Sequence, residues 1–336
     1  MVSANPDFDD IVTTTLRHRS GKLSDNATRT TAGLDRARRK GKVMTAPGGR
    51  SIVQELEAAL NPNGGWFAGY DRLNVSPFQP FTAAEFDWKQ AYEPCIWSGR
   101  EKRMNMGRDQ SIALITSRLK NSEKSLYDLV AQGFYSDGLG SGGKQLGGLN
   151  HLVVASPTSG TVGGINRATS TNAFWRNKTG TVNFTTAINM AGSSGTMPTP
   201  FLLAMNALAI ATTRGSDRPD LWLYDAVGYA RFLESLQPLQ RLTNPDVGKA
   251  GFTNLTYQGV GMSSDVVLDN GYCPTETGFA LNTDYIYLRP HSELDFEPMG
   301  GERMPIDQDA TVRFFGFMGN MCGANMFLQG RLDDSD

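Results

Sequence analysis

Apolar residues recur at three- and four-residue steps, or their sum, across residues 109–132: Ile112, Ile115, Leu119, Leu126, Leu129 and Val130. That spacing lines one face of an amphipathic helix. Asp109 is placed to cap its start, and Gly133 to stop it at the C′ position. At 1.5 Å per residue it is roughly 36 Å long, a long single helix for a chain of this size. Residues 136–148 read as a flexible loop. A region of short strands follows, then FWRNKTGTVNF. A second helix is expected from Thr199-Pro200, an N-cap with proline at N1, through FLLAMNALAIATT to a stop near Gly215. LWLY (221–224) reads as a buried strand, and Asp225 caps a short helix, AVGYARFLESL. From Phe252 onward the pattern is mostly β: TNLTYQG, SDVVLD and FALNTDYIYL. TVRFFGFMGNMCGANMFLQG then reads as two strands around a tight turn near Gly319-Asn320. These elements predict an α+β protein with non-sequential sheets and no internal repeat.

Residues 50–60 and 92–104 have strand-like patterns and flank NPNGGWFAGYDRLNVSPFQPF. The middle holds too many helix breakers to be helical. A long hairpin projecting from the body fits it better. Trp66, Phe67, Tyr70, Phe78 and Phe81 exposed on such a projection mark an interface, because contiguous exposed apolar surface usually does.

Composition adds a charge asymmetry. The chain has 336 residues, 39% hydrophobic and 20% charged, an ordinary globular balance. Net charge is −2. Between Thr15 and Thr45 lie Arg17, Arg19, Lys22, Arg29, Arg36, Arg38, Arg39, Lys40 and Lys42, opposed only by Asp25 and Asp35. Nine cations against two acids make this stretch +7, so the remainder is −9. The stretch has few large apolar residues and cannot fold alone. It reads as a basic arm on an acidic body. Contact with an acidic neighbouring subunit is favoured over contact with DNA phosphates and over a solvated tail.

The sequence assembles no catalytic, metal or cofactor constellation. Cys95, Cys273 and Cys322 have no metal-ligand or redox spacing and read as buried free thiols in a reducing cytoplasm. His18, His151 and His291 lie far apart and read as structural. Gly138-x-Gly140-x-x-Gly143 matches the dinucleotide fingerprint in form, but a helix precedes it and none follows, so a mobile glycine loop is the better reading. Asp265 and Asp269, and the alternating Glu293, Asp295 and Glu297, fit a solvated acidic face or an inter-subunit salt-bridge edge better than acid–base catalysis. MVSANPDFDD has no basic region followed by an apolar stretch, so no signal peptide is expected. No apolar run approaches the ~18 residues a membrane span needs.

In order and spacing, these pieces resemble the major capsid proteins of tailed double-stranded DNA bacteriophages, the Hong Kong 97 type of capsid fold. GGRSIVQELEAALNPNGGWFAGYDRLNVSP and AAEFDWKQAYEPCIWSG resemble the extended E-loop region of that family. GGLNHLVVASPTSGTVGGINRATSTNAFWRN resembles the segment after its spine helix. GFTNLTYQGVGMSSDVVLDNGY and LNTDYIYLRPH resemble its axial-domain strands.

The resemblance implies an N-terminal arm at 1–47 and an E-loop with flanking strands at 48–105. It implies a peripheral domain at 106–194 with spine helix 109–132, an axial domain at 195–305, and returning peripheral strands at 306–336. By function it implies a self-assembling, non-enzymatic shell protein of the virion, built in the bacterial host cytoplasm as hexamers and pentamers around double-stranded DNA. Its expected partners are itself, a portal protein, and separate scaffold and cement proteins. The E-loop aromatics would contact neighbouring subunits. Arg17, Arg29, Arg36, Arg38, Arg39, Lys40 and Lys42 of the arm would contact subunits or DNA. The alternative is an encapsulin-like shell of the same fold around protein cargo. No lysine, asparagine and carboxylate here match the isopeptide crosslink of some family members, so that chemistry is not carried over.

Overall fold

A computed structural model describes residues 32–104, 114–182, 201–240, 255–259, 262–269 and 272–334. Helix α1 (Ala32–Arg39) leads to strands β1 (Ile52–Glu57), β2 (Phe81–Phe86) and β3 (Lys89–Ser98), a short helix α2 (Gly99–Met104), and the long helix α3 (Leu114–Gly133). After two small helical turns come β4 (Thr161–Val162), β5 (Ile165–Asn166), a 3-10 turn (Ser170–Trp175) and β6 (Lys178–Val182). Helix α4 (Phe201–Ala211), β7 (Leu221–Tyr224) and α5 (Ala226–Gln240) precede β8 (Leu255–Gly259), β9 (Met262–Leu268) and β10 (Thr277–Leu281). The chain ends with β11 (Ile286–Pro298), β12 (Ala310–Gly323) and β13 (Gly330–Asp334).

A six-stranded sheet runs β6-β13-β10-β7-β9-β8, and a three-stranded sheet runs β11-β12-β3. The first has apolar side chains on both faces. Along β7, Leu221 and Leu223 point into one core, and Trp222 and Tyr224 into another. That is why LWLY is a continuous apolar run rather than an alternating one. One core joins β7 and β10 to α3 and the three-stranded sheet through Leu126, Phe134, Phe279, Phe317 and Met321. The other packs Phe201, Met205 and Leu208 of α4 and Phe232 of α5 onto the opposite face. As expected, Asp225 starts α5: its Oδ1 accepts the Gly228 N–H at 2.8 Å.

Several elements depart from the sequence reading. Asp109 lies outside the described residues, and so do Thr199 and Pro200. Gly133 is the last residue of α3 rather than its C′ stop. What requires glycine there is space, since a Cβ would sit 3.1 Å from Cβ of Leu146. Leu129, expected on the buried face, is 43% exposed. The hairpin's return strand is β2, paired with β1 from Ile52↔Phe86 to Glu57↔Phe81, not residues 92–104. Residues 92–98 instead belong to β3, which pairs with β12.

The tight turn at Gly319-Asn320 does not exist, because β12 runs straight through it. Gly319 is needed for closeness: a Cβ would lie 2.7 Å from the carbonyl oxygen of Arg289 on β11. Asn320 is buried, accepting the Gly147 N–H at 3.0 Å and donating to the Asp87 carbonyl at 2.8 Å.

Sheet membership also cuts across the expected boundaries. β6 lies before residue 195 yet belongs to the six-stranded sheet with β13, while β11 lies before 305 yet belongs to the three-stranded sheet.

The first turn of α2 is fixed by reciprocal bonds. Ser98 N–H donates to Oε2 of Glu101 at 2.8 Å, and Glu101 N–H donates to Oγ of Ser98 at 3.2 Å. Arg118 on α3 grips the same carboxylate with both arms, at 2.7 and 3.0 Å. Burial pushes the Glu101 carboxyl up, but the Ser98 backbone bond and the Arg118 guanidinium outweigh it and leave it below its ordinary value. The resulting stabilisation is therefore complete above the unfolded value and is lost as pH falls through the lower, folded one. Arg118→Ala strands a buried carboxylate and should cost about 2–4 kcal/mol. Glu101→Gln should flatten the acid limb of a melting-temperature profile against pH. Unchanged melting of Arg118→Ala would show that this clamp is not structural.

Candidate assembly surface

The β1–β2 hairpin is anchored at its base and bare at its tip. Ile52, Leu56, Ala84 and Phe86 point inward and are buried. Beneath them, Gly163 at φ +59 leaves no room for a Cβ, which would lie 2.9 Å from Ala84 Cβ. Its carbonyl accepts the Glu85 N–H at 3.0 Å. Arg289 on β11 donates to Gln54 Oε1 at 2.6 Å and to the Val53 carbonyl at 3.2 Å.

Beyond Glu57 and before Phe81, the connection carries no regular strand. It is braced from within: Asn63 Nδ2 donates to the Ser76 carbonyl at 2.6 Å, and Asn74 Nδ2 to Asn63 Oδ1 at 2.7 Å. The Ala68 N–H donates to Asp71 Oδ2 at 2.8 Å, closing a turn next to Tyr70. Trp66 and Tyr70 are fully exposed, and Phe67, Phe78 and Phe81 are exposed as well. Sequence reasoning missed Leu60, Leu73 and Val75, which extend the same bare apolar surface. Their signal was present as apolar residues within a breaker-rich stretch.

The basic stretch is placed differently from a free arm. Arg17 and Arg29 lie outside the described residues. From residue 32 onward the chain is docked on its own body. Leu34 is 1% exposed, and a Cβ on Gly33 would come 2.5 Å from the Phe134 ring. Residues 43–46 then run parallel to β11, with Met44 N–H on the Leu288 carbonyl at 3.0 Å and Ala46 N–H on the Pro290 carbonyl at 2.9 Å.

The cations meet acids of the same chain. Arg36 pairs with Asp265 at 3.0 Å and Asp220 at 3.8 Å. Lys40 pairs with Asp220 at 2.6 Å, and Lys42 with Asp284 at 3.5 Å. Arg38 lies over the Tyr127 ring at 4.7 Å and the Phe296 ring at 5.4 Å. Arg39 is exposed. The attraction to acidic surface expected from the charge asymmetry is thus satisfied within the subunit for Arg36, Lys40 and Lys42. The expectation that residues 1–47 form an arm unable to pack is corrected from residue 32 on.

Reversing Arg36 to Glu faces two aspartates with a third carboxylate. It should lower the melting temperature by several degrees at low salt, and salt should narrow the gap because partly exposed charges are screened. Arg39→Glu should melt like the parent. Thermal melts of both variants at low and high salt check this, and equal melting of Arg36→Glu and parent would sink it.

Other candidate chemistry is dispersed. Among the described residues, no group of three or more His, Cys, Asp or Glu could hold a metal ion, and no helix is long and apolar enough to cross a membrane. The cysteines are free and buried; burial pushes the Cys322 thiol up to about 12. His18 lies outside the described residues. Burial lowers the pKa of His151, and His291 packs edge-on against Trp88. Asp269 is buried, accepting the Tyr135 hydroxyl at 2.6 Å, so it does not act with Asp265, which is bound to Arg36. The alternation of Glu293, Asp295 and Glu297 is broken by Phe296 at φ 57. The glycine fingerprint folds into an irregular turn, Gly140–Gly143, with no nucleotide-type strand before it.

No family model and no curated protein sequence matches the chain. Solved structures do. The capsid asymmetric unit of cyanophage A-1(L) aligns over 97% of this chain and 99% of its own, with a TM-score of 0.58 at 12% identity. The capsid of the native GTA particle aligns over 99% and 100%, with a TM-score of 0.60 at 9% identity. The capsid of cyanophage P-SCSP1u aligns over 97% and 94%, with a TM-score of 0.55 at 11% identity. At these identities the likeness is one of fold, and it spans this chain end to end.

Proposed function

We propose that this chain is the major capsid protein of a tailed double-stranded DNA phage, a non-enzymatic subunit that assembles as hexamers and pentamers into an icosahedral head around packaged DNA. The observation that carries the proposal is the end-to-end match to capsid subunits, at 97% or more of this chain. In this reading the β1–β2 hairpin is the E-loop and α3 the spine helix. The three-stranded sheet belongs to the peripheral part, and the six-stranded sheet with α4 and α5 to the axial part. Trp66, Phe67, Tyr70, Phe78 and Phe81 meet a neighbouring subunit. Arg17, Arg29 and Arg39 remain for contacts with subunits or DNA, while Arg36, Arg38, Lys40 and Lys42 hold the arm's root to its own body. Portal, scaffold and cement proteins are the further partners, and the subunit assembles in the host cytoplasm before residing in the virion.

Negative-stain microscopy of the purified protein tests the reading. Closed shells of uniform diameter, with nuclease-protected double-stranded DNA in native particles, are expected. Discrete small oligomers at all concentrations would overturn it. Shells filled with protein and free of nucleic acid would replace it with the encapsulin-like alternative.

A further inference from the structure

A groove of about 420 Å³ opens between β3, the C-terminal half of α3 and the glycine-rich turn. Its walls include Tyr92, Leu129, Leu146 and Phe317, and its cations are Lys89 and Lys144. No acidic residue lines it. The turn forms one wall with Ser141 in left-handed backbone at φ 53, and Lys89 Nζ holds that wall by donating to the Gly143 carbonyl at 2.5 Å. Leu129 is the residue that broke the amphipathic pattern of α3, since it faces this opening rather than the core.

We infer that this groove receives the aromatic tip, Trp66 to Tyr70, of the hairpin of a second copy of this chain. The inference rests on the shell reading above and names the acceptor that reading lacks. Three observations favour this occupant. The tip offers large apolar side chains, and the groove is apolar between two cations. Residues 52–87 carry Glu55, Glu57, Asp71, Glu85 and Asp87 against Arg72 alone, so a −4 hairpin meets an acid-free groove. Trp66 and Tyr70 stay fully exposed in the single chain, so the tip does not seat in its own groove and the donor must be another copy.

Paired cysteines test the contact while leaving the aromatics in place. Gly65 has open space where a Cβ would go, Gln132 is an exposed residue lining the groove, and the three native cysteines are buried. Shells of the Gly65→Cys/Gln132→Cys protein, mildly oxidised, should give a ladder of covalent multimers on non-reducing gels. Gly65→Cys/Asp307→Cys, whose second thiol lies on the distant β11–β12 connection, should not. Shells without a ladder, or an equal ladder in the control, overturn the inference and assign the groove to another occupant. Leu129→Arg supplies a second measurement that does not depend on crosslinking. It should cut particle yield at least tenfold with unchanged melting of the unassembled subunit, and parental yield would overturn the inference. Failure of the parent itself to form shells would instead remove the shell reading on which this rests.

Discussion

Leu126→Asp is expected to yield no folded protein. Leu126 is 0% exposed, at the centre of the core that joins α3 to both sheets. Truncating a buried leucine to alanine already costs about 2–5 kcal/mol. Aspartate adds an unpaired carboxylate in apolar surroundings, which costs several kcal/mol more or forces the group to take up a proton. The sum is comparable with the roughly 5–15 kcal/mol that holds a domain folded. Leu119, two turns earlier, is only partly buried against the same core, so Leu119→Asp should be the milder change. Expression in the insoluble fraction, with soluble protein recovered at Leu119 but not at Leu126, is the expected pattern. Soluble Leu126→Asp with a parental melting profile would mean that α3 does not lie on this core.

Replacing Trp66, Phe67 and Tyr70 together by alanine should abolish assembly while leaving the subunit folded. None of the three packs against the body, so their loss removes no core contact. Buried against a neighbour, each large side chain contributes roughly 1.5–3 kcal/mol. Losing even about 3 kcal/mol from one contact weakens it on the order of a hundredfold. Each subunit makes the contact once, so a closed shell loses it at every position. Light scattering against protein concentration should show assembly shifted beyond reach, with circular dichroism and melting unchanged. Parental assembly of the triple variant would remove the hairpin from the interface.

What the sequence made legible was local. The LWLY strand, the Asp225 cap and the long helix were readable because an apolar run, a capping side chain and a repeated three-to-four spacing are written in adjacent residues. Partners distant in sequence were not. Residues 92–98 alternate well enough to serve either β1 or β12, and only the fold decides between them. Gly319-Asn320 has turn chemistry, yet β11 approaches so closely that the glycine is needed inside a strand. The arm's root offered a single large apolar residue, Leu34, in AGLDRARR, and its acceptors Phe134 and Leu223 lie about a hundred and two hundred positions away. The aromatic hairpin was legible for the converse reason: many large apolar side chains among breakers have no place to go within one chain.

The position of β13 has a consequence for the order in which the molecule can be made. Residues 330–334 lie between β6 and β10, parallel to the first and antiparallel to the second. Until they are synthesised, β6 is cut off from the rest of its sheet, and both neighbours present unsatisfied backbone toward the same gap. Such open edges invite pairing with other chains. A nascent subunit therefore gains its finished sheet only after residue 330 has been translated, and a chain halted before that point carries a slot shaped for a strand. Polysomes crowded with growing copies are where such slots would find the wrong strand, so premature termination here should give aggregates rather than small defective shells.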